Sequence, residues 1–322
     1  MASFAIDIDM DDVDNCSRVV AAAVVVSYFP DTEALLNLLI TLSEETNLVI
    51  LVDNGGGRNV FELSQARGLG VKYHQLSSNM GLGYALNFGF TEAVKNGAKY
   101  ISTFDQDSAP VPGMFKGMIL LHKELEEKSI VCGAVGPVFY DRRESVKKYF
   151  PFYFEKNNKI LSTSSTSPSC GFIEVDTLIT SGAMVKASAW TAGLRYDEDL
   201  FVDYTDTDFC FRLRASGYRL FACLSIEMGH ALSDAPPVKF LGFKFFRYSP
   251  VRRYYFFRNT IIFCKKSYVS TAWRRRLMVA LSIRLLVNFI IDPEKINSLR
   301  MMGLGIVNGV KGVSGEYKNP KT

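Results

Sequence analysis

Short apolar runs alternate along this chain with stretches whose apolar residues recur at helical spacing. Val19 to Phe29 (VVAAAVVVSYF) is a continuous apolar run, too short to cross a membrane and of the kind that forms a central strand covered on both faces. Pro30-Asp31-Thr32-Glu33 starts a helix in which Leu35, Leu36, Leu38, Leu39 and Leu42 make one broad face. Leu48 to Val52 and Val71 to Leu76 read as further strands. Asn79-Met80-Gly81-Leu82-Gly83 opens a helix through Lys95, and Tyr100 to Phe104 is a fourth strand. A helix over Met114 to Glu127 and a strand over Val131 to Phe139 follow. Asp141 to Thr166 is polar and rich in Ser and Thr, an excursion that fits a hairpin. Phe172 to Thr180 returns as a strand, Thr205 to Ser216 as a helix stopped by Gly217, and Tyr218 to Leu224 as a strand. Strands and helices alternating at this spacing predict an α/β fold of right-handed βαβ units, with a mostly parallel central sheet flanked by helices. Ligands of such sheets sit beyond the carboxyl ends of the strands, where Pro30, Asp53, Asp105 and Asp107 fall.

Composition changes this picture only through charge. The 322 residues are 48% apolar and 22% charged, an ordinary globular balance. From Lys239 onward, however, 17 Lys and Arg face 3 Asp and Glu, while the rest of the chain holds 20 against 30. A basic C-terminal quarter is joined to a mildly acidic body. The first fifteen residues carry five aspartates and no base, which excludes a secretory signal and reads as a solvated, flexible tail. Cys16, Cys132, Cys170, Cys210, Cys223 and Cys264 lack C-x-x-C spacing, so reduced thiols in a cytoplasmic protein are expected rather than a disulfide framework or a zinc site.

Candidate chemistry concentrates at two places. The strand Tyr100 to Phe104 runs into Asp105-Gln106-Asp107-Ser108. Two carboxylates one residue apart at a strand tip suit Mg²⁺ or Mn²⁺, which is usually held by one or two carboxylates plus substrate phosphates. Asp53, followed by Asn54 and three glycines, is placed to accept from a base N–H or a ribose hydroxyl. Asn79-x-Gly81-x-Gly83 offers helix N–H groups to a diphosphate, yet it lacks the third glycine of a dinucleotide fingerprint and follows the third strand, which disfavours a dehydrogenase. The second place is Phe201 to Tyr218, where Asp203, Asp206 and Asp208 cluster near a helix start. Asp203 and Asp206 can face a cleft and act as a general base, while Asp208 and Arg212 make an ordinary i,i+4 helix pair.

Taken in order, these residues resemble the inverting glycosyltransferases of family 2, which have the GT-A fold, and most closely their bacterial rhamnosyltransferase branch. The matching positions are Val26-Ser27-Tyr28 with Pro30, Val52-Asp53-Asn54, Ser78-Asn79-x-Gly81-x-Gly83-x-Ala85-x-Asn87, and Phe104-Asp105-Gln106-Asp107-Ser108. They continue through Gly136-Pro137, Thr180-Ser181-Gly182, Asp203 to Asp208 with Arg212, Gly217-Tyr218, His230 and Arg252-Arg253-Tyr254-Tyr255-x-x-Arg258-Asn259. With the charge pattern, the resemblance places a catalytic domain over residues 19–235 between an acidic tail over 1–18 and a basic, aromatic, helical segment over 236–322. It implies donor contacts at Tyr28, Pro30, Asp53, Asn79, Gly81, Gly83, Asn87, Asp105, Arg253 and Arg258. A metal site of Asp105, Asp107 and His230 for Mg²⁺ or Mn²⁺ follows, with Asp206 as base, Asp203 as its fallback, and acceptor contacts at Ser181, Gly182 and Asp208. The family commonly has Glu-Asp where this chain has Thr205-Asp206.

The expected partners are a nucleotide sugar, with dTDP-L-rhamnose first, and a glycan or lipid-linked saccharide acceptor in bacterial surface polysaccharide synthesis, such as O-antigen. Other donors (galactofuranose, fucose, glucose) and a non-catalytic nucleotide-binding scaffold are the alternatives. Lys239 to Arg258 interleaves basic and aromatic residues, and Leu277 to Ile291 suits an amphipathic helix. These fit either packing on the sheet or peripheral contact with the inner face of the plasma membrane. No nucleic-acid module is recognisable.

Overall fold

The computed structural model describes residues 20–143, 147–163, 169–230, 235–240, 243–292 and 294–318, with 230, 235–240, 243–247 and 291 described through their backbone alone. The acidic segment expected as a tail lies outside the described residues. In chain order, β1 (Ala21–Ser27), α1 (Thr32–Glu45), β2 (Leu48–Asp53), α2 (Arg58–Ala66), β3 (Lys72–Gln75), α3 (Leu82–Lys95) and β4 (Tyr100–Asp105) follow the expected alternation, with α2 an addition to it. A short β5 (Ala109–Pro110), α4 (Met114–Glu127) and β6 (Cys132–Asp141) come next. The polar excursion holds a hairpin, β7 (Tyr153–Lys156) and β8 (Lys159–Ser162), turned through Asn157 and Asn158 at φ 52° and 56°. Paired positive φ values at Asn are the signature of a tight hairpin turn.

β9 (Phe172–Val175), β10 (Met184–Lys186), α5 (Ala187–Thr191), α6 (Thr205–Ala215) and β11 (Arg219–His230) complete the sheet-bearing part. The strand expected over 172–180 stops at Val175, and the one expected over 218–224 continues to His230. Beyond lie a second hairpin, β12 (Ala235–Phe240) and β13 (Phe243–Arg247), and the helices α7 (Pro250–Lys265), α8 (Thr271–Ile291) and α9 (Lys295–Lys311).

The main sheet runs β3-β2-β1-β4-β10-β6-β11-β5, with β9 also paired to β11. β1 pairs in parallel with both β2 and β4, and β6 with β11, while β10 enters antiparallel between β4 and β6. Every residue of β1 is buried, and its alternation splits the core. Ala22, Val24 and Val26 face one apolar cluster with Leu86 and Phe90 of α3 and Phe209 and Leu213 of α6. Ala21, Ala23 and Val25 face the other, with Leu35 and Leu39 of α1 and Phe115 and Met118 of α4. This is the physical content of an unbroken apolar strand: both faces carry helices.

Two of the C-terminal helices start on serine caps, Ser249 for α7 and Ser270 for α8, each accepting a backbone N–H three residues on. α9 lies against α7 so closely that a Cβ at Gly305 would sit 2.6 Å from the Tyr254 carbonyl oxygen, and one at Gly309 2.8 Å from that of Arg258. Two glycines four residues apart on α9 therefore permit the contact. Among the described residues no helix is long and apolar enough to cross a membrane.

Candidate active site

Parallel register sets the geometry of the site. Ser27 at the end of β1 stands opposite Asp53 of β2, and Val26 opposite Asp105 of β4. The two carboxylates thus flank the carboxyl end of the same central strand, but they are used differently. Asp53 is fully buried and accepts from the Ser27 hydroxyl (3.1 Å), the Gly55 amide (2.8 Å), the Gly57 amide (3.0 Å) and the Tyr73 hydroxyl (2.7 Å). Gly57 is required there: a Cβ on it would lie 2.6 Å from the Ser27 hydroxyl and 2.9 Å from the Asp53 carboxylate. Burial and then the bond to Asp53 push the Tyr73 phenol well above its ordinary range. Asp53, expected at the donor, holds the glycine turn, and Asn54 is the residue of that pair that lines the cavity.

Asp105 is partly exposed, as is Asp107 in the turn that follows β4. The Ser181 hydroxyl donates to the Asp105 carboxylate (2.7 Å) and accepts from its amide (3.2 Å). Gln106, between the two acids, accepts the Tyr28 amide at 2.7 Å and so ties the ends of β1 and β4 together. Asp206 lies in the first turn of α6 and accepts the Thr207 amide at 2.6 Å. Loss of water around it, and next the charges of Asp105 and Asp203, push its carboxyl up to about 6, against the pull of the Thr207 amide and hydroxyl.

These groups share one cavity of about 810 Å³. Of the residues expected at the site, Tyr28, Asn79, Gly81, Asp105, Asp107, Asp203 and Asp206 line it, and Ser181 stands one hydrogen bond behind through Asp105. The side chain of His230 lies outside the described residues. Among the described residues no three His, Cys, Asp or Glu side chains are grouped as ligands of a metal ion.

Several expected residues are placed elsewhere. Pro30 and Gly83 do not line the cavity, and Gly83 faces the Asp197 carbonyl. Asn87 is occupied with the Tyr196 backbone and the Glu198 carboxylate. Gly182 packs among Met114, Met228 and Pro137. Asp208, expected at the acceptor, is fully buried and bonded to Arg212 (2.5 Å) and the Tyr268 hydroxyl (2.6 Å). Arg253 is 4% exposed, paired with Asp292 at 2.5 Å and bonded to the Tyr248 carbonyl. Arg258 is fully buried and donates to the carbonyls of Gly315 (2.6 Å), Asp199 (3.3 Å) and Leu200 (2.9 Å).

The far wall comes from residues for which the sequence had suggested no site role, Arg252 and Tyr255 among them although they lie in a matching motif. Phe201, Tyr248, Arg252, Tyr255, Glu316 and Tyr317 line it. Arg252 pairs with Asp203 at 2.6 Å. The segment after α9 returns to the site through Gly315, whose amide meets the Asp199 carbonyl, and Tyr317, whose amide meets the Tyr255 hydroxyl. The loop entering α6 is strained: Phe201, Asp203 and Tyr204 have φ of 64°, 59° and 68°. Such backbone persists only when its surroundings over-determine it. Here the Asn259 amide donates to the carbonyls of Leu200, Val202 and Asp203.

Comparison with known proteins agrees with this architecture. Residues 29–178 match the family described as Glycosyl transferase family 2. The chain is 31% identical over 299 residues to the dTDP-rhamnosyl transferase RfbF of Shigella flexneri, covering 91% of this chain and 96% of that one. Among solved structures, TarS 1–349 of S. aureus in complex with UDP-GlcNAc superposes with a TM-score of 0.57 at 12% identity, over 92% of this chain and 82% of that one. GalNAc-T7 with UDP, GalNAc and Mn²⁺ gives 0.53 at 10% identity, over 84% of this chain and 58% of that one. At such identities the structural likeness concerns the fold.

Proposed function

The chain belongs to glycosyltransferase family 2 and has the GT-A fold, and from that premise we propose that it moves L-rhamnose from dTDP-L-rhamnose to a hydroxyl of a glycan or lipid-linked saccharide. The observation that carries the reading is the convergence of Asp105, Asp107 and Asp206 on one cavity from chain positions a hundred residues apart. The relative named as a dTDP-rhamnosyl transferase supports the choice of sugar.

In this reading the nucleoside end of the donor lies between Tyr28, Asn54 and Asn79, and the diphosphate lies at the Asp105/Asp107 tip. The donor set fits a hard divalent cation, which takes one or two carboxylates and completes its shell with water and phosphate oxygens. Asp105, oriented by Ser181, and Asp107 would hold Mg²⁺ or Mn²⁺, which when bound would offset charge on the departing diphosphate. Asp206 accepts the proton of the acceptor hydroxyl as its oxygen attacks the anomeric carbon, and one displacement inverts that centre. The acceptor rests on the wall of Tyr248, Arg252, Tyr255 and Tyr317, which takes over the role expected of Gly182 and Asp208. Aromatic faces with a charged pair beside them suit a sugar ring with hydroxyls on its rim.

The test is release of nucleoside diphosphate from a panel of nucleotide sugars, with Mg²⁺ or Mn²⁺ and then with a chelator. dTDP-L-rhamnose should be turned over fastest; faster turnover of another donor would reassign the sugar while leaving the reaction class in place. Asp107→Asn should lower release roughly 100-fold or more without changing the melting temperature. Full activity in that variant would remove Asp107 from the site.

A further inference from the structure

The basic C-terminal quarter is partitioned by the fold in a way its sequence does not announce. Its most aromatic stretch faces inward: Arg253, Tyr254, Tyr255, Phe257 and Arg258 of α7 are buried. The apolar residues of α8 do the reverse. Met278, Val279, Ile283, Leu286, Phe289 and Ile290 are all exposed, Ile283 by 51% and Leu286 by 65%. At 3.6 residues per turn they fall on one side of the helix, and from 278 to 290 they extend about 18 Å along it. The remaining exposed position in that span is Ser282, and Arg284 turns inward over the Phe256 ring. After the turn, α9 continues with exposed Ile296 and Leu299. An apolar patch of this extent on a protein surface marks a contact.

Charge identifies the partner. Neither α8 nor α9 contains an Asp or Glu. Among the described residues of α8 and the first turns of α9, the exposed charges are Arg275 and Arg276 at one end of the stripe and Lys295 and Arg300 beyond the turn. Arg275 and Arg276 reach back to the Asn158 carbonyl and the Tyr153 ring yet remain exposed. Asp292, at the turn, is buried against Arg253, and Glu294 is an exposed acid among the described residues there. Two copies of such a face brought together would set cations against cations. A helix lying with its apolar side in a lipid interface and its basic rim among anionic headgroups has no such conflict. We propose that the outer face of α8, with the first turns of α9, docks the protein on a bilayer that carries anionic lipids.

Vesicle flotation of the full chain tests this independently of the sugar chemistry. The protein should float with phosphatidylcholine vesicles containing about one part in three of phosphatidylglycerol, remain below with phosphatidylcholine alone, and be released as salt is raised. Ile283→Asp with Leu286→Asp should lower the bound fraction at least ~10-fold. Arg275→Glu with Arg300→Glu should abolish the preference for anionic vesicles. Should the aspartates disturb folding, Leu286→Ser with Ile290→Ser provides a milder loss at unchanged melting temperature. Failure of the wild type to float would overturn the proposal. So would flotation of a folded double variant at the wild-type level, or a dimer in solution that the same variant splits while vesicle binding is unchanged.

Discussion

Asp206→Asn is expected to lower sugar transfer by ~10²–10⁴-fold while leaving nucleotide binding within about 2-fold, since the amide keeps the shape and loses only the proton acceptor. Isothermal titration with the nucleoside diphosphate, beside initial rates of transfer, separates the two effects. A variant that lost donor affinity but kept its turnover would place Asp206 on the donor instead.

The same carboxyl predicts a pH dependence of rate and of stability with opposite senses. Its ordinary value is 3.8, and burial followed by the neighbouring Asp105 raises it to about 6 in the folded chain. A base must be ionised to accept a proton, so kcat/KM should climb with pH and level off above about 6, and Asp206→Asn should lack that limb. For stability, the folded state holds this proton more tightly than the unfolded one. The contribution is therefore present below the unfolded value and is lost as pH rises through about 6. At neutral pH the ionised Asp206 burdens the fold by on the order of 1–3 kcal/mol, and Asp206→Asn should melt no lower than the wild type, and at a higher temperature if the burden is fully felt. A carboxylate kept for packing would show the reverse. Activity lost while stability is kept or gained is the mark of a group retained for chemistry.

How much of this was legible in the sequence depended on the range of the forces involved. β1, β2 and β4 were readable because a strand buried on both faces must be apolar throughout. The Asp105/Asp107 tip was readable because two carboxylates at the end of such a strand need a reason to be there. β10 was not: three residues, Met184–Lys186, carry no period, and only the sheet around them makes them a strand. Asn54 and Gln106 lie within recognisable motifs, but an uncharged amide beside a carboxylate gives no local signal of its own. Glu316 and Tyr317 carried no local signal, since the fold alone returns the segment after α9 to the cavity. Arg252 and Arg253 illustrate the limit best. They are adjacent, but a helix turns 100° between them, so one faces the cavity and Asp203 while the other is buried against Asp292.

Arg258, expected at the donor, lies where its helical spacing directs it, and that placement carries a second large effect. It shares a helical face with Tyr254, Phe257 and Ile261, all buried, a spacing that points into the core whatever the charge. There it donates to the Asp199, Leu200 and Gly315 carbonyls and to the Asn259 side chain, with its guanidinium 4.9 Å from the centre of the Tyr255 ring. One planar fork thus joins α7, the approach to the strained loop and the returning C-terminal segment. Arg258→Leu would strip several buried carbonyls of a charged donor, at a cost of roughly 3–5 kcal/mol. A fall in melting temperature of roughly 6–15 °C is the expected readout. Lys at this position should recover little, because a single ammonium cannot reproduce the fork. Transfer should also fall, since Asp203 and Tyr204 would be free to leave φ values that few residues adopt unaided. Had Arg258 been a donor contact, its loss would weaken nucleotide binding at an unchanged melting temperature. Calorimetry and nucleotide titration on this one variant therefore distinguish a clamp on the loop from a hand on the substrate.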